Sequence, residues 1–490
     1  MTNILGVSCR GHDAAVSVVR DGELVYASHC ERYSRVKNDP QLAPAAVADA
    51  LSRVDRIDAV VHYERPLRTR TRQLRAGQFA SALDPHGLRA YLRSVPGLRR
   101  APVHTVGHHE SHAAGGYFTS GFDEAAVVVV DAIGEWDTIS VWSAHGTTLT
   151  KVAGVRYPHS IGLLYSAFTQ RVGFRPNEEE YIMMGLAAYG TPDLADLIWD
   201  DFVRCADWPD FRLTRSVHRG IADWRPHLTD AATLAASVQE VTERLLDGLF
   251  AWAARAVGSR NLVYSGGVAL NCAYNSQLAR SGAFDRIWIM PSPGDSGSAI
   301  GAALALLRRH VSWPGPYLGH AITGEPDLDE AVRRLVRGEV IGMAHGRSEF
   351  GPRALGNRSL LADPRPAAAK RKVNAIKRRE QFRPFAPAVL AEHAPDLFDL
   401  PVPHSPYMQY VAPCRDPEQL LSVCHVDGTS RVQTVRQPEN PVFHELLTRF
   451  HHETGCPVLL NTSLNIKGEP LVNTRADAQR FQKSHGIPVL

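Results

Sequence analysis

Three short apolar runs, each ending in small, acidic or polar residues, constrain this chain more than any other feature. Residues 3–8 (NILGVS) lead into Cys9–Arg10–Gly11–His12–Asp13, and residues 125–130 (AAVVVV) lead into Asp131–Ala132–Ile133–Gly134–Glu135. Residues 261–264 lead into Ser265–Gly266–Gly267. Runs of this kind read as buried strands, and α/β sheets present their ligands at the carboxyl ends of such strands. After the first run, AAVSVV, the turn signal Arg20–Asp21–Gly22 and LVYASH read as a β-hairpin. From Ser296 to Arg309 the sequence reads as a helix that is apolar and small on one face. The fold class is therefore α/β, α+β in part. At 490 residues the chain exceeds one ordinary core. The Pro- and Gly-rich Trp313–Gly319 is the best linker candidate, and two domains are expected over 1–325 and 326–490.

Hydrophobic content of 44% and charged content of 21% suit a globular protein. A formal charge of +3 gives no reason to expect nucleic acid or an anionic membrane as partner. No apolar run reaches the roughly 18 residues of a membrane span, and the N-terminus lacks the pattern of a secretory signal. The seven cysteines include no CxxC pair and read as reduced thiols of a cytoplasmic protein.

His108 and His112 are four residues apart, which on a helix sets both imidazoles on one face within reach of one ion. Such a pair also arises on ordinary helix surfaces. Asp131 strengthens the case, because a carboxylate closing an all-valine strand is costly unless paired or metal-bound. Asp295, in Pro293–Gly294–Asp295–Ser296–Gly297, reads either as a further ligand or as a helix N-cap. Two imidazoles with carboxylates suit a divalent first-row metal. HExxH is absent, so a zinc protease is a poor reading.

At this point a family is recognisable. GHDAAVSVV, ERYSRVKND, HHESHAAGGYF, VVVVDAIGEWDT, EEEYIMMGLAAYG, SGGVALNC, PSPGDSGSAIGAA, GRSEFGPRALGNRSLLADPR, REQFRPFAPAVL, HVDGTSRVQTV and LLNTSLNIKGEPLV follow one another in the order of the carbamoyltransferases of nodulation and antibiotic biosynthesis. The resemblance implies an N-terminal domain with the actin/sugar-kinase/Hsp70-like ATPase fold. It also implies a smaller C-terminal domain similar to threonylcarbamoyl-adenylate synthases. It further implies that carbamoyl phosphate and ATP, with Mg2+, yield carbamoyl-adenylate in the second domain. The carbamoyl group then moves to a small-molecule acceptor in the first, with iron(II) or another divalent first-row metal as cofactor. Carbamoyl-adenylate is a reactive mixed anhydride, so shielding it from water makes chemical sense.

Carried over residue by residue, the resemblance gives His108, His112, Asp131 and Asp295 as metal ligands, with His109 competing. His12 is the candidate base, since imidazole titrates near neutrality. Lys37 joins it as a catalytic candidate and, with Arg35, could meet adenylate phosphate. Gly134 and Glu135, and Gly266, Gly267 and Asn271, are nucleotide-contacting candidates. In the second domain Arg347, Arg353, Arg358, Lys377, Arg383, Arg431, Asn461 and Ser463 are the candidates for carbamoyl phosphate and ATP, Arg as a bidentate clamp and Lys as a point charge. Glu179, Ile182 and Ala188 depart from the family's usual Gly, Lys and Pro, and the segment RFQKSHGIPVL departs from its usual close, which would either weaken packing there or mark a deviant subfamily. Competing expectations are an RNA-modifying threonylcarbamoyl-type transferase, a non-catalytic binding protein and a sugar kinase. A homodimer is left open, and so is the acceptor's identity.

Overall fold

The computed structural model describes residues 2–82 and 87–490. The chain divides into two units that exchange short segments. One comprises Met1–Ser34, Asn38–Leu270 and Ser281–Pro314; the other comprises Arg35–Lys37, Asn271–Arg280 and Gly315–Leu490.

The first unit carries two five-stranded sheets of one design. In the first sheet, β1 (Asn3–Ser8), β2 (Ala15–Arg20) and β3 (Glu23–His29) form an antiparallel meander. The Asp21–Gly22 turn between β2 and β3 has both residues at positive φ, as a tight two-residue hairpin requires. On its other edge β1 pairs in parallel with β4 (Ala59–His62), and β4 with β5 (Val103–Thr105). The second sheet repeats this: β6 (Glu124–Gly134), β7 (Asp137–His145) and β8 (Thr148–Arg156) are antiparallel. A small ribbon, β9 (Val203–Arg204) with β10 (Arg212–Leu213), follows. Then β11 (Asn261–Ser265) pairs in parallel with β6, and β12 (Arg286–Ile289) with β11. The orders β3-β2-β1-β4-β5 and β8-β7-β6-β11-β12 are thus the same, and this duplicated arrangement is that of the actin/sugar-kinase ATPase fold.

Small residues let two helices approach closely between the sheets. The helix His108–Ser120 packs on β6 and β11, and the helix Ser298–Leu307 packs on β1, β2 and β4. They meet at Gly115 and Gly301, where a Cβ on Gly301 would collide with the Ser111 carbonyl and one on Gly115 would lie 3.1 Å from the Gly301 Cα. This contact aligns the start of the first helix with the turn Asp295–Gly297 that precedes the second.

In the second unit β13 (Tyr317–Ile322) pairs with β15 (Gly346–Glu349). The main sheet runs β14 (Ile341–Ala344), β16 (Arg358–Ala362), β21 (Val458–Ser463), β17 (Ala386–Leu390), β20 (Gln433–Val435), antiparallel except for the last pair. A hairpin joins β18 (Val411–Pro413) to β19 (Thr429–Arg431). Two segments from earlier in the chain anchor here. Arg35 donates to the carbonyls of Pro470 and Leu471, and Ser276, on the helix Cys272–Arg280, donates to the Val411 carbonyl at 2.9 Å. The departing C-terminal segment forms a capped helix, Arg475–His485, and its last residues bond along β14, with Ala344 N donating to the Leu490 carbonyl at 2.8 Å. That packing covers the β14 edge of the sheet.

The cysteine expectation needs correction. Cys414 and Cys424 are joined in a disulfide, while Cys9, Cys30, Cys205, Cys272 and Cys456 are free. The pair is made by the chain's return between β18 and β19, which no spacing rule reveals. Among the described residues no helix is long and apolar enough to cross a membrane.

Candidate functional site

The four residues read as metal ligands converge. One ligand atom from each of His108, His112, Asp131 and Asp295 lies within 4.8 Å of all the others. Asp131 Oδ2 is 3.1 Å from His108 Nε2 and 3.5 Å from His112 Nε2. Asp295 Oδ1 is 3.3 and 3.4 Å from the same two nitrogens. Asp295 makes no capping bond and turns to the histidines. The other oxygen of Asp131 accepts from Ala132 N at 2.8 Å and lies 3.4 Å from Gly267 N.

Hydrogen bonding fixes which lone pairs face inward. His112 Nδ1 lies 3.1 Å from the Pro293 carbonyl, an acceptor only, so it is the protonated nitrogen and Nε2 presents its lone pair. His108 Nδ1 faces Glu64 Oε2 at 3.4 Å, with the same consequence. The two Nε2 atoms stand 3.1 Å apart. Two imidazole lone pairs and two carboxylates facing one another, all largely buried, repel unless a cation or protons stand between them. The donor set therefore fits a divalent metal, and the outer bonds to Glu64 and Pro293 are the kind that orient ligating histidines. The proton equilibria speak for the same demand. Burial disfavours charge on His108, yet Asp295, Asp131 and Glu64 outweigh it and hold the imidazolium well above its ordinary range. Against burial, the histidines hold Asp131 well below the usual carboxylate range and bring Asp295 to about 2.

His109 turns away, as a position 100° round the helix must. Its Nδ1 meets Ser140 Oγ at 2.7 Å, and burial with the neighbouring His108 keeps it neutral. Gly134 belongs to the same cluster, since a Cβ there would strike the rings of His108 and His109. Gly266, at φ +93°, passes against the Val130 carbonyl, where any Cβ would collide. Glu135 is occupied otherwise than a nucleotide loop implies: Oε1 accepts from Arg65 N at 2.7 Å and lies 3.4 Å from His108 N. Asn271 Oδ1 accepts from Tyr274 N at the start of its helix and falls in the second unit.

His12 Nδ1 pairs with Asp13 Oδ2 at 3.1 Å. Burial works against the imidazolium, but the hydrogen bond and charge of Asp13 raise its pKa to about 9. Lys37 belongs to the second unit, so His12 and Lys37 are not gathered in one.

In the second unit Lys377 and Ser463 are brought together. The buried Lys377 Nζ donates to Ser463 Oγ at 3.1 Å, to the Ser463 carbonyl, and to the Asn465 carbonyl and Oδ1 at 2.9 and 2.8 Å. Burial, then Arg379 and Arg383, push its pKa well down. Arg358 is fully buried and its guanidinium donates to the carbonyls of His345, Asn357, His320, Gly346 and Asn473, the bonding of a structural strut. Arg347 likewise reaches the carbonyls of Leu318 and Gly319. Arg383 faces Glu380 at 3.4 Å, and Arg353 and Arg431 are partly exposed. Asn461 donates to Gln433 Oε1 at 2.7 Å and to the Ala354 carbonyl, while its buried Oδ1 has no partner among the described residues. Ile182 is buried.

Sequence reasoning missed Glu64. It follows β4, a fourth strand whose end points at the same place, and the apolar run Ala59–Val61 before His62–Tyr63–Glu64 was the available signal.

The chain thus combines a mixed α/β architecture, a duplicated sheet arrangement and a buried His–His–Asp–Asp cluster. Residues 86–304 match the family model described as Carbamoyltransferase N-terminus, and residues 332–490 match Carbamoyltransferase C-terminus. The chain belongs to the carbamoyltransferase family. It is 37% identical to the uncharacterized protein sll1178 of Synechocystis, over 98% of this chain and 94% of that one. Identity is 34% to nodulation protein NolNO of Sinorhizobium fredii (95% and 76% covered). To the 3'-hydroxymethylcephem-O-carbamoyltransferase of Amycolatopsis lactamdurans it is 31% (97% and 96%). Among solved structures, component A of (R)-2-hydroxyglutaryl-CoA dehydratase from Acidaminococcus fermentans is similar at 14% identity and TM-score 0.37, over 63% of this chain and 99% of that chain. Full-length HypF is similar at 13% and 0.36, over 62% and 55%.

Proposed function

We propose that this enzyme forms carbamoyl-adenylate from carbamoyl phosphate and ATP in the unit containing Gly315–Leu490, and transfers the carbamoyl group to a hydroxyl or amine of a small metabolite at the His108–His112–Asp131–Asp295 cluster. In the first half-reaction water hydrolyses carbamoyl phosphate to phosphate and carbamate, and a carbamate oxygen then attacks the α-phosphorus of ATP and displaces pyrophosphate. In the second the acceptor attacks the carbamoyl carbon, AMP leaves, and the acceptor's proton is released. The observation that carries this reading is the convergence of four ligand atoms from residues 108 to 295. A divalent metal held there, iron(II) in the family resemblance, supplies Lewis-acid polarisation of the carbamoyl carbonyl.

The chain's own groups have definite tasks. Glu64 and the Pro293 carbonyl hold the two imidazoles with their lone pairs inward. His12, with its pKa near 9, is an imidazolium at neutral pH and stabilises negative charge on the departing AMP. Lys377, fixed by Ser463 and Asn465, is the point charge for phosphate in the other half-reaction.

Incubation with carbamoyl phosphate, ATP and a panel of hydroxyl and amine acceptors tests the proposal. AMP and pyrophosphate should form, and an acceptor should gain the mass of one carbamoyl group. ADP and a phosphorylated product would instead make the chain a kinase.

A further inference from the structure

Between Arg65 and Arg100 the sequence holds nine arginines against one acidic residue, Asp84, in a chain whose total charge is only +3. The helix Pro66–Arg75 lies in this stretch and buries none of its side chains. It is tied to the metal cluster through Glu135: Arg72 Nε donates to the Glu135 carbonyl at 3.1 Å, and the carboxylate of Glu135 faces His108 N.

From Arg72 a polar chain leads to a second segment. Arg72 Nη1 donates to Gln78 Oε1 at 3.0 Å, which fixes the amide and leaves its Nε2 to donate to His218 Nε2 at 3.4 Å. His218 Nε2 is therefore the accepting nitrogen, and Nδ1 carries the proton. That buried N–H has no acceptor among the described residues. Burial, with Arg72 and Arg219 nearby, keeps the ring neutral. Arg219 lies alongside, its Nη2 3.5 Å from where a Cβ on Gly77 would stand, and it is exposed with no carboxylate partner among the described residues. Glu64 offsets the charge of Arg72 from the metal side. An orphaned donor with two guanidiniums nearby, drawn from two parts of the chain, is a preformed place for an anion.

We infer that Arg72, His218 and Arg219 form an anion-binding subsite for the acceptor, which carries a carboxylate, phosphate or sulfate in addition to the hydroxyl or amine that is carbamoylated. This rests on the transferase reading above for the acceptor's role, but not for the binding of the anion.

Equilibrium dialysis with radiolabelled inorganic phosphate tests the site directly. The Arg219→Ala and His218→Ala proteins, singly and combined, should each bind phosphate at this site at least tenfold more weakly, and the double variant should lose one equivalent per chain. Identical stoichiometry and affinity in wild type and variants would overturn the inference. The second arm uses matched acceptors, a hexose with its 6-phosphate and a nucleoside with its 5′-phosphate. Arg219→Ala should raise KM at least tenfold for the anionic member of a pair and leave KM for the neutral member unchanged. Equal use of both members, or carbamoylation of a transfer RNA in preference to every small acceptor, would also overturn it. Failure of the wild type to release AMP would sink the reaction while leaving the dialysis result to judge the anion site.

Discussion

At the cluster in the first unit four lone-pair acceptors face one another, and positive charge must come from outside, as protons or a metal. In the second unit the positive charge is part of the chain: Lys377 enters a cage of oxygens from Ser463 and Asn465 and is satisfied as it stands. Both are buried polar sites, yet the first is built to acquire a ligand and the second to hold an ammonium in a fixed place. The difference lies in donor count. Asp131, Asp295 and the two Nε2 atoms offer acceptors without donors, whereas Lys377 supplies the donors its acceptors need.

The contrast breaks most readily at His108. His108→Ala should lower carbamoyl transfer by about a thousandfold, the scale of several kcal/mol of lost Lewis-acid stabilisation. Pyrophosphate formation in a single turnover should be unchanged, read by its release, while AMP, which leaves only on transfer, should fall with the carbamoylated product. Equal loss of both activities in a folded variant would erase the division between the units. Lys377→Met should instead suppress pyrophosphate release, and with it transfer, and cost more in stability, about 3–5 kcal/mol, because its oxygen cage is left without a cation. Denaturant titration beside a pyrophosphate-release assay measures both effects. A milder perturbation is Glu64→Gln, which weakens the grip on the His108 ring and should lower metal affinity about 10–100-fold. Competition with a calibrated chelator reads that value, and unchanged affinity would mean the ring is held by other contacts.

A last test concerns proton charge in the second unit. Burial, then Arg358, lowers the His345 pKa from 6.5 to about 4. Between those values the unfolded chain holds a proton that the native protein lacks, so stability falls as pH drops from 6.5 towards 4. The loss should reach about 2 kcal/mol by pH 5. Melting temperatures at pH 7 and pH 5 should differ less for His345→Gln than for the wild type.

The four residues of the buried cluster were legible because each carried a local signal: a four-residue spacing, a charge closing a valine strand, an acid beside glycines. The Asp21–Gly22 hairpin was legible for the same reason. The duplication of the first unit was not, since it repeats strand order and pairing while the residues share no pattern. Arg358 looked like a phosphate ligand because a sequence cannot tell a guanidinium that meets carbonyls from one that meets substrate. Nor could it tell that Glu135 would close on backbone N–H groups. The arginine-rich stretch was hidden by averaging, because acidic residues elsewhere bring the whole chain close to neutral.

The crossed packing of two helices has a further consequence. The helix that leaves the first sheet covers the second, and the helix that leaves the second returns to cover the first. Each repeat therefore owes its apolar cover to its sibling. Expressed as a fragment, either half would hold a complete set of strands and still expose the face its missing neighbour should close. The pair must have been shaped together, and a hinge that parts them would uncover both at one stroke.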